Sequence, residues 1–226
     1  MKKLIIGLLV LSISLSAIEM IHKNYRAVPL KKATLLKSGK EKMYCSVCGM
    51  TLPMFYRTNH AADHDHIHDQ YCSITCMIED AVINKKDLKN FKVVDNTTLK
   101  FILSQDAYFI VGSKKPGTMS MTSKYAFKTK QAALKFQQEN GGRLMRFNDL
   151  VTLVKKAQLK DMKATKKRQA KAIKKGAMMY KKMCNKTNKV FHTTAEAKVY
   201  LTTSKICGNI KGKKLQAIGM YLVNKK

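Results

Sequence analysis

Two cysteine pairs constrain this 226-residue chain more than any hydrophobic pattern in it. The first is Cys45-Ser46-Val47-Cys48, running into Gly49-Met50; twenty-three residues later comes Cys72-Ser73-Ile74-Thr75-Cys76, followed by Met77. Between them stand His60 and the run His64-Asp65-His66-Ile67-His68, so four of the six cysteines and four of the six histidines fall within Tyr44–Met77. This is the composition of a metal site, with Cys45, Cys48, Met50, Cys72, Cys76, His64, His66 and His68 as candidate ligands. Thiolate and thioether together select Cu(I), imidazole serves copper and zinc alike, and hard cations prefer oxygen. Two other readings stand beside it. The spacing suits a closed four-thiolate zinc site that holds a small fold together, and in an oxidising compartment it suits two disulfides. The neighbouring thioethers add nothing to a zinc site and a good deal to a Cu(I) site.

The net charge of +30 is unevenly placed: residues 1–150 carry an excess of +11 and residues 151–226 an excess of +19. Nucleic acid, an anionic membrane surface, an acidic partner or a merely solvated face could each account for such an excess. The N-terminus chooses among them. Met1-Lys2-Lys3 is a positive n-region, Leu4 to Leu15 is apolar apart from Gly7 and two serines, and Ser14-Leu15-Ser16-Ala17 offers small residues for cleavage. Residues 1–17 therefore read as a secretory signal, short for a membrane span, with an uncleaved N-terminal anchor as the alternative. No cysteine lies near the cleavage site, which excludes lipid attachment there. The expectation is a periplasmic protein with no nucleic-acid partner, in which contact of the basic C-terminal region with a membrane surface stays open.

Residues 18–42 read as a tether. Met43–Val47 and Asp69–Cys72 suit strands. Ser73 is a plausible N-cap for a helix with Ile74, Met77, Ile78, Ala81 and Val82 on one face, and Phe91–Val94 is a strand. The pattern then recurs: strand Ala107–Val111, a turn at Lys115-Pro116-Gly117-Thr118-Met119, strand Lys124–Phe127, a helix capped by Thr129 and stopped by Gly141-Gly142, and strand Arg143–Phe147. The expected class is α+β, built from two ββαβ units, with Leu99–Leu103 as an additional strand or connector. In this scheme Cys48-Gly49-Met50 and Pro116–Met119 follow equivalent strands, so an approximate two-fold axis would let Met119 or Met121 join a site begun by Cys48 and Met50. The alternation of His64, His66 and His68 puts all three imidazoles on one side if the segment is extended; otherwise the segment is a mobile loop gathering metal loosely.

The run Cys-x2-Cys-Gly-Met, a strand ending in Gly112-Ser113, then Pro-Gly-x-Met, then Phe127 and an alanine-bearing helix closing in Gly-Gly before Phe147-Asn148-Asp149-Leu150, resembles the NosL family over residues 43–151. These are nitrous oxide reductase accessory proteins. The resemblance implies a periplasmic Cu(I) chaperone that helps load the copper centres of nitrous oxide reductase together with an ABC-type maturation complex. It matches Cys45, Cys48 and Met50 to the family's soft-ligand motif and Met119 to its later methionine. The Cys-x2-Cys-Gly-Met piece with a second Cys-x3-Cys is also similar to small metal-handling modules of the YHS and TRASH type.

In the C-terminal third, residues 152–175 read as a basic helical linker and residues 176–226 as a small helical module. Gly176–Tyr180 with Cys184, and the closing helix Leu215–Leu222, resemble the terminal helices of a small c-type cytochrome. Covalent haem requires Cys-x-x-Cys-His, and here the run is Cys184-Asn185-Lys186-Thr187-Asn188, so no haem is expected. Cys184 and Cys207 are left to pair as a disulfide, and the module reads as a docking or spacer element. The chain as a whole reads as a binding protein and not an enzyme. The rivals are a thiol–disulfide oxidoreductase using Cys45 and Cys48, against which no thioredoxin-like βαβ precedes the pair, and a structural zinc module acting in protein interaction.

Overall fold

In the computed structural model, which describes residues 24–225, two small antiparallel sheets share one core beneath a long helix. The signal sequence read at residues 1–17 lies outside the described residues. Sheet one holds β1 (His60–His64), β2 (Ile67–Tyr71), β3 (Lys89–Val94) and β4 (Phe101–Leu103) in the order β2-β1-β3-β4. Sheet two holds β5 (Tyr108–Val111), β6 (Lys124–Phe127) and β7 (Arg143–Met145) in the order β6-β5-β7. Helix α1 (Ile74–Val82) connects β2 to β3, and α2 (Lys130–Asn140) connects β6 to β7. Each unit thus runs β-β-α-β with its first strand in the centre. A parallel bridge from Asp95 to Ala126 joins the two sheets.

The first unit starts later than its sequence suggests. Met43–Val47 is no strand: Tyr44 and Thr51 form an isolated bridge that closes the Cys45–Met50 loop on itself, and the first strand is His60–His64. The histidine run is neither a single extended face nor a loose loop. It is a β-hairpin whose turn falls at Asp65-His66, both in the left-handed region (φ 46° and 62°). That reversal separates His64 from His68 onto opposite strands. Leu99–Leu103 yields a real strand, β4, paired to β3. Phe147 belongs not to β7 but to the first turn of the next helix.

Helix ends follow their local chemistry unevenly. Thr129 accepts from the Ala132 amide at 3.2 Å and caps α2, whereas Ser73 makes no such bond at α1. Helix α3 (Phe147–Met183) is unbroken for 37 residues, about 55 Å at 1.5 Å per residue. Its first turns bury Phe147, Leu150 and Val154 in the sheet core, and its far end buries Tyr180 in a second core with Phe191, Leu201, Ile218 and Leu222. Gly176 therefore opens no new element. It sits inside α3, where a Cβ would lie 2.1 Å from the Ala217 carbonyl oxygen, and this lets α5 (Gly212–Asn224) cross in backbone contact. Helix α4 (Thr194–Ser204) completes the module, and Cys184 and Cys207 form its disulfide. Among the described residues no helix is long and apolar enough to cross a membrane.

Candidate metal site

The loop Cys45–Met50 is a tight turn folded onto its own backbone. The Cys45 amide donates to the Met50 carbonyl at 2.9 Å, and the Gly49 amide to the Cys45 carbonyl at 3.0 Å. Ser46 fastens the loop to β2, its amide donating to the Gln70 carbonyl at 3.1 Å and its hydroxyl to Asp69 at 2.8 Å. Cys72 follows β2 directly, and Cys76 lies in the first turn of α1. Strand pairing in sheet one thus delivers the second cysteine pair to the first.

The four sulfurs of Cys45, Cys48, Cys72 and Cys76 lie within 4.8 Å of one another, all buried and all reduced. Cys48 and Cys72 are 3.5 Å apart, Cys72 and Cys76 3.8 Å. A tetrahedral ion bound to sulfur at about 2.3 Å would space its ligands about 3.8 Å apart, so the cluster has the dimensions of a four-thiolate site. Burial works to raise the Cys45 thiol, but the hydrogen bonds offered by Cys48, Cys72 and Cys76 overcome it and hold Cys45 well below the ordinary thiol range. The same bonds to Cys45 and Cys48, with burial, push Cys72 and Cys76 well above it. In one buried pocket the ionisation of one thiol opposes that of its neighbours, and a bound cation would favour the ionised forms.

Met119 is reached from the second unit. Its loop leaves β5 and returns to β6, and Met119 is held in the left-handed region at φ 62°, a conformation that a long side chain adopts only where its surroundings over-determine it. Those surroundings are specific. The Thr58 hydroxyl lies 2.9 Å from both the Cys72 carbonyl and the Thr118 hydroxyl, which ties the cysteine cluster to the residue before Met119. Arg26 donates to the Gly117 carbonyl, and Thr165 of α3 donates to the Met119 carbonyl at 3.2 Å. Cys48, Met50 and Met119 line one cavity of about 350 Å³. The two loops do not follow equivalent strands, because the Cys45–Met50 loop precedes β1, yet they meet on the same cavity.

The histidines stand apart. His68 Nδ1 pairs with Asp63 at 2.6 Å and His64 with Asp65 at 3.2 Å. With His66, Asp87, Lys89 and Asn90 they border a separate depression on the hairpin surface. The structure does not bring His64, His66 or His68 into the sulfur cluster.

Residues from the C-terminal module complete the site's surroundings, and nothing near the cysteines in sequence signals them. Lys198 of α4 is only 1 % exposed; its Nζ donates to the Gly49 carbonyl at 2.6 Å and to Gln216 Oε1 at 2.9 Å, and lies 4.0 Å from the centre of the Tyr44 ring. Burial brings its pKa down to about 7 against the attraction of Cys48 and Cys45. Gln216 of α5 donates to the Cys48 carbonyl at 2.9 Å. The expectation of a spacer is therefore corrected: the module is seated on the cysteine loop.

A buried four-cysteine cluster, joined to a methionine-bearing loop of a second ββαβ unit, defines a small metal-binding α+β protein. The NosL family model matches residues 37–155, and the chain belongs to the NosL family. Among solved structures, the copper chaperone NosL from Shewanella denitrificans is similar at 24% identity and a TM-score of 0.40, covering 53% of this chain and 96% of that one. A comparison with curated proteins finds no match. The family match ends within α3, so α4 and α5 lie beyond it.

Proposed function

We propose that this chain is a periplasmic Cu(I)-binding metallochaperone that assists assembly of the copper centres of nitrous oxide reductase, with an ABC-type maturation complex as its working partner. One observation carries the reading: Cys48 belongs to the buried thiol cluster and also borders the cavity shared with Met50 and Met119. A chaperone needs a low-coordinate soft site that an acceptor's sulfur can enter before the donor's leaves, and a thiolate flanked by two neutral thioethers at a cavity wall meets that need. Among the described residues no strand precedes Cys45, so the pair lacks the preceding βαβ of a thioredoxin-like site, which argues against a thiol–disulfide oxidoreductase. The His64–His68 hairpin would be an auxiliary surface site for metal, and the basic outer face of α3 would meet an acidic partner or an anionic membrane surface.

The sulfur spacing favours a second reading, a resident structural zinc ion held by Cys45, Cys48, Cys72 and Cys76. Both are tested by titrating the reduced full-length protein with Cu(I) against a chromogenic chelator, for the native chain and for Cys48→Ser and Met119→Leu. The copper reading expects one tightly held Cu(I), lost at least ten-fold in Cys48→Ser and weakened in Met119→Leu. Stoichiometric zinc that Cu(I) does not displace would overturn it in favour of the structural site.

A further inference from the structure

The cavity that Cys48, Met50 and Met119 share has two further sulfur-bearing walls, Met121 and Met220. Met121 is 87% exposed at the rim, whereas Met220 is 8% exposed and comes from α5, outside the family match. Its placement follows from the clamp on the cysteine loop. Gln216 and Met220 are four residues apart on one helix and so share a face. The Gln216 amide bonds the Cys48 carbonyl, which sets Met220 beside the wall that Cys48 and Met50 form. Lys198 holds the neighbouring Gly49 carbonyl and the Gln216 side chain together, so the carbonyls of Cys48 and Gly49 are both gripped by the module.

From this juxtaposition the geometry points to Met220 as a thioether ligand for Cu(I) in a transfer site between the cysteine loop and α5, the C-terminal module being the fourth wall of that site. The inference rests on the copper reading and extends it to a residue the family motif does not contain. The charge around the cavity fits the ion. Arg26 and Arg168 border it, which disfavours a divalent cation, while a monovalent ion bound to one Cys48 thiolate is a neutral unit. Binding displaces the thiol proton of Cys48 to solvent and involves no change of oxidation state. Thioether bonds are weak and neutral, so an ion held by the Cys48 thiolate together with Met50, Met119 and Met220 stays a neutral unit while one thioether yields its place to an acceptor's sulfur.

The test uses the reduced full chain with its methionine methyl groups labelled with carbon-13, titrated with Ag(I) as a redox-inert stand-in and then with Cu(I). The resonances are assigned by Met50→Leu, Met119→Leu and Met220→Leu. The expected result is that the Met220 methyl shifts together with those of Met50 and Met119 up to one equivalent, and that Met220→Leu weakens Cu(I) binding about ten-fold while leaving the thermal transition in place, since the swap conserves volume. Shifts at Met50 and Met119 with Met220 unmoved would overturn the inference and leave the copper reading intact. Retention of Cu(I) with no methyl shift would overturn it in favour of the thiolates alone. Failure of the native chain to retain Cu(I) would remove the copper reading itself, and this inference with it.

Discussion

The Lys198 ammonium donates a 2.6 Å hydrogen bond to the carbonyl of Gly49 across 149 residues of sequence. The bond reaches from the module beyond the family domain into the turn that carries Cys48 and Met50. The loop's shape thus depends on elements at both ends of the chain.

Gly49 has φ +67°, and a Cβ there would stand 2.7 Å from the Thr194 Cβ. Gly49→Ala therefore combines left-handed strain with a clash against the first turn of α4, and should lower stability by about 2–4 kcal/mol. Thr194→Gly in the same chain should recover part of that loss. Denaturant unfolding of the two single variants and the double variant measures both; equal losses in the Gly49→Ala chain with and without Thr194 would show that the contact is not made.

Lys198→Met would leave the Gly49 carbonyl and the Gln216 side-chain oxygen without their donor in a buried space. The expected loss is about 1–3 kcal/mol. Faster hydrogen exchange in residues 48–51 than in the strands of sheet two would locate the effect at the cysteine loop.

At Gly176 the obstacle to a side chain is backbone: the Ala217 carbonyl oxygen and carbon lie 2.1 and 2.6 Å from the position of a Cβ. Gly176→Ala should separate α3 from α5 and destabilise the module by about 1–3 kcal/mol despite the better helix propensity of alanine. Removing the disulfide with Cys184→Ala/Cys207→Ala, which opens a link spanning 23 residues, should cost about 3 kcal/mol. Thermal unfolding under anaerobic conditions without reductant, which leaves the Cys184–Cys207 bond closed and the four cluster cysteines as thiols, compares the two effects on one scale.

His60 supplies a pH dependence. It is buried against Phe109, its Nδ1 has no partner among the described residues, and burial, with Lys124 nearby, depresses its pKa to about 3. A histidine whose folded pKa lies below the unfolded value near 6.5 contributes stability that is complete above pH 6.5 and is lost as pH falls toward 3. The slope is about 1.4 kcal/mol per pH unit. Native protein should therefore lose about 2–3 kcal/mol more than His60→Gln between pH 6.5 and 4.5, as read from denaturant midpoints at each pH.

How far the sequence reached differs from one residue to the next. Lys124–Phe127 and the Thr129-capped helix are legible because alternation, a capping hydroxyl and a glycine stop are local signals. The His60–His64 strand is not legible, because two histidines and an aspartate carry no apolar alternation and its register is set by pairing with β2 and β3. The turn at Asp65-His66 carries no local signal, because it lacks the glycine that usually marks a left-handed pair. The resemblance to the family and an equivalence of strands both point to Met119 from the sequence, and the topology lacks that equivalence. What brings Met119 to the cavity of Cys48 is Thr58, bonded to Cys72 on one side and Thr118 on the other.

From its own residues, the chain determined that four thiols would be available in two short turns, that the second half would repeat the β-β-α-β order, and that Cys184 and Cys207 were free to pair. Residue type and near-neighbour spacing suffice for these, since cysteine chemistry and hydrophobic period act over a few positions. Tertiary structure alone decided that the four sulfurs converge within 4.8 Å, that Lys198 and Gln216 grip the Cys48-Gly49 turn, and that Met220 shares a cavity with Cys48. Contacts spanning about 150 residues depend on how α3 leads the chain away from the sheet core and α5 packs against it to reach the cysteine loop again, and no local pattern encodes that path.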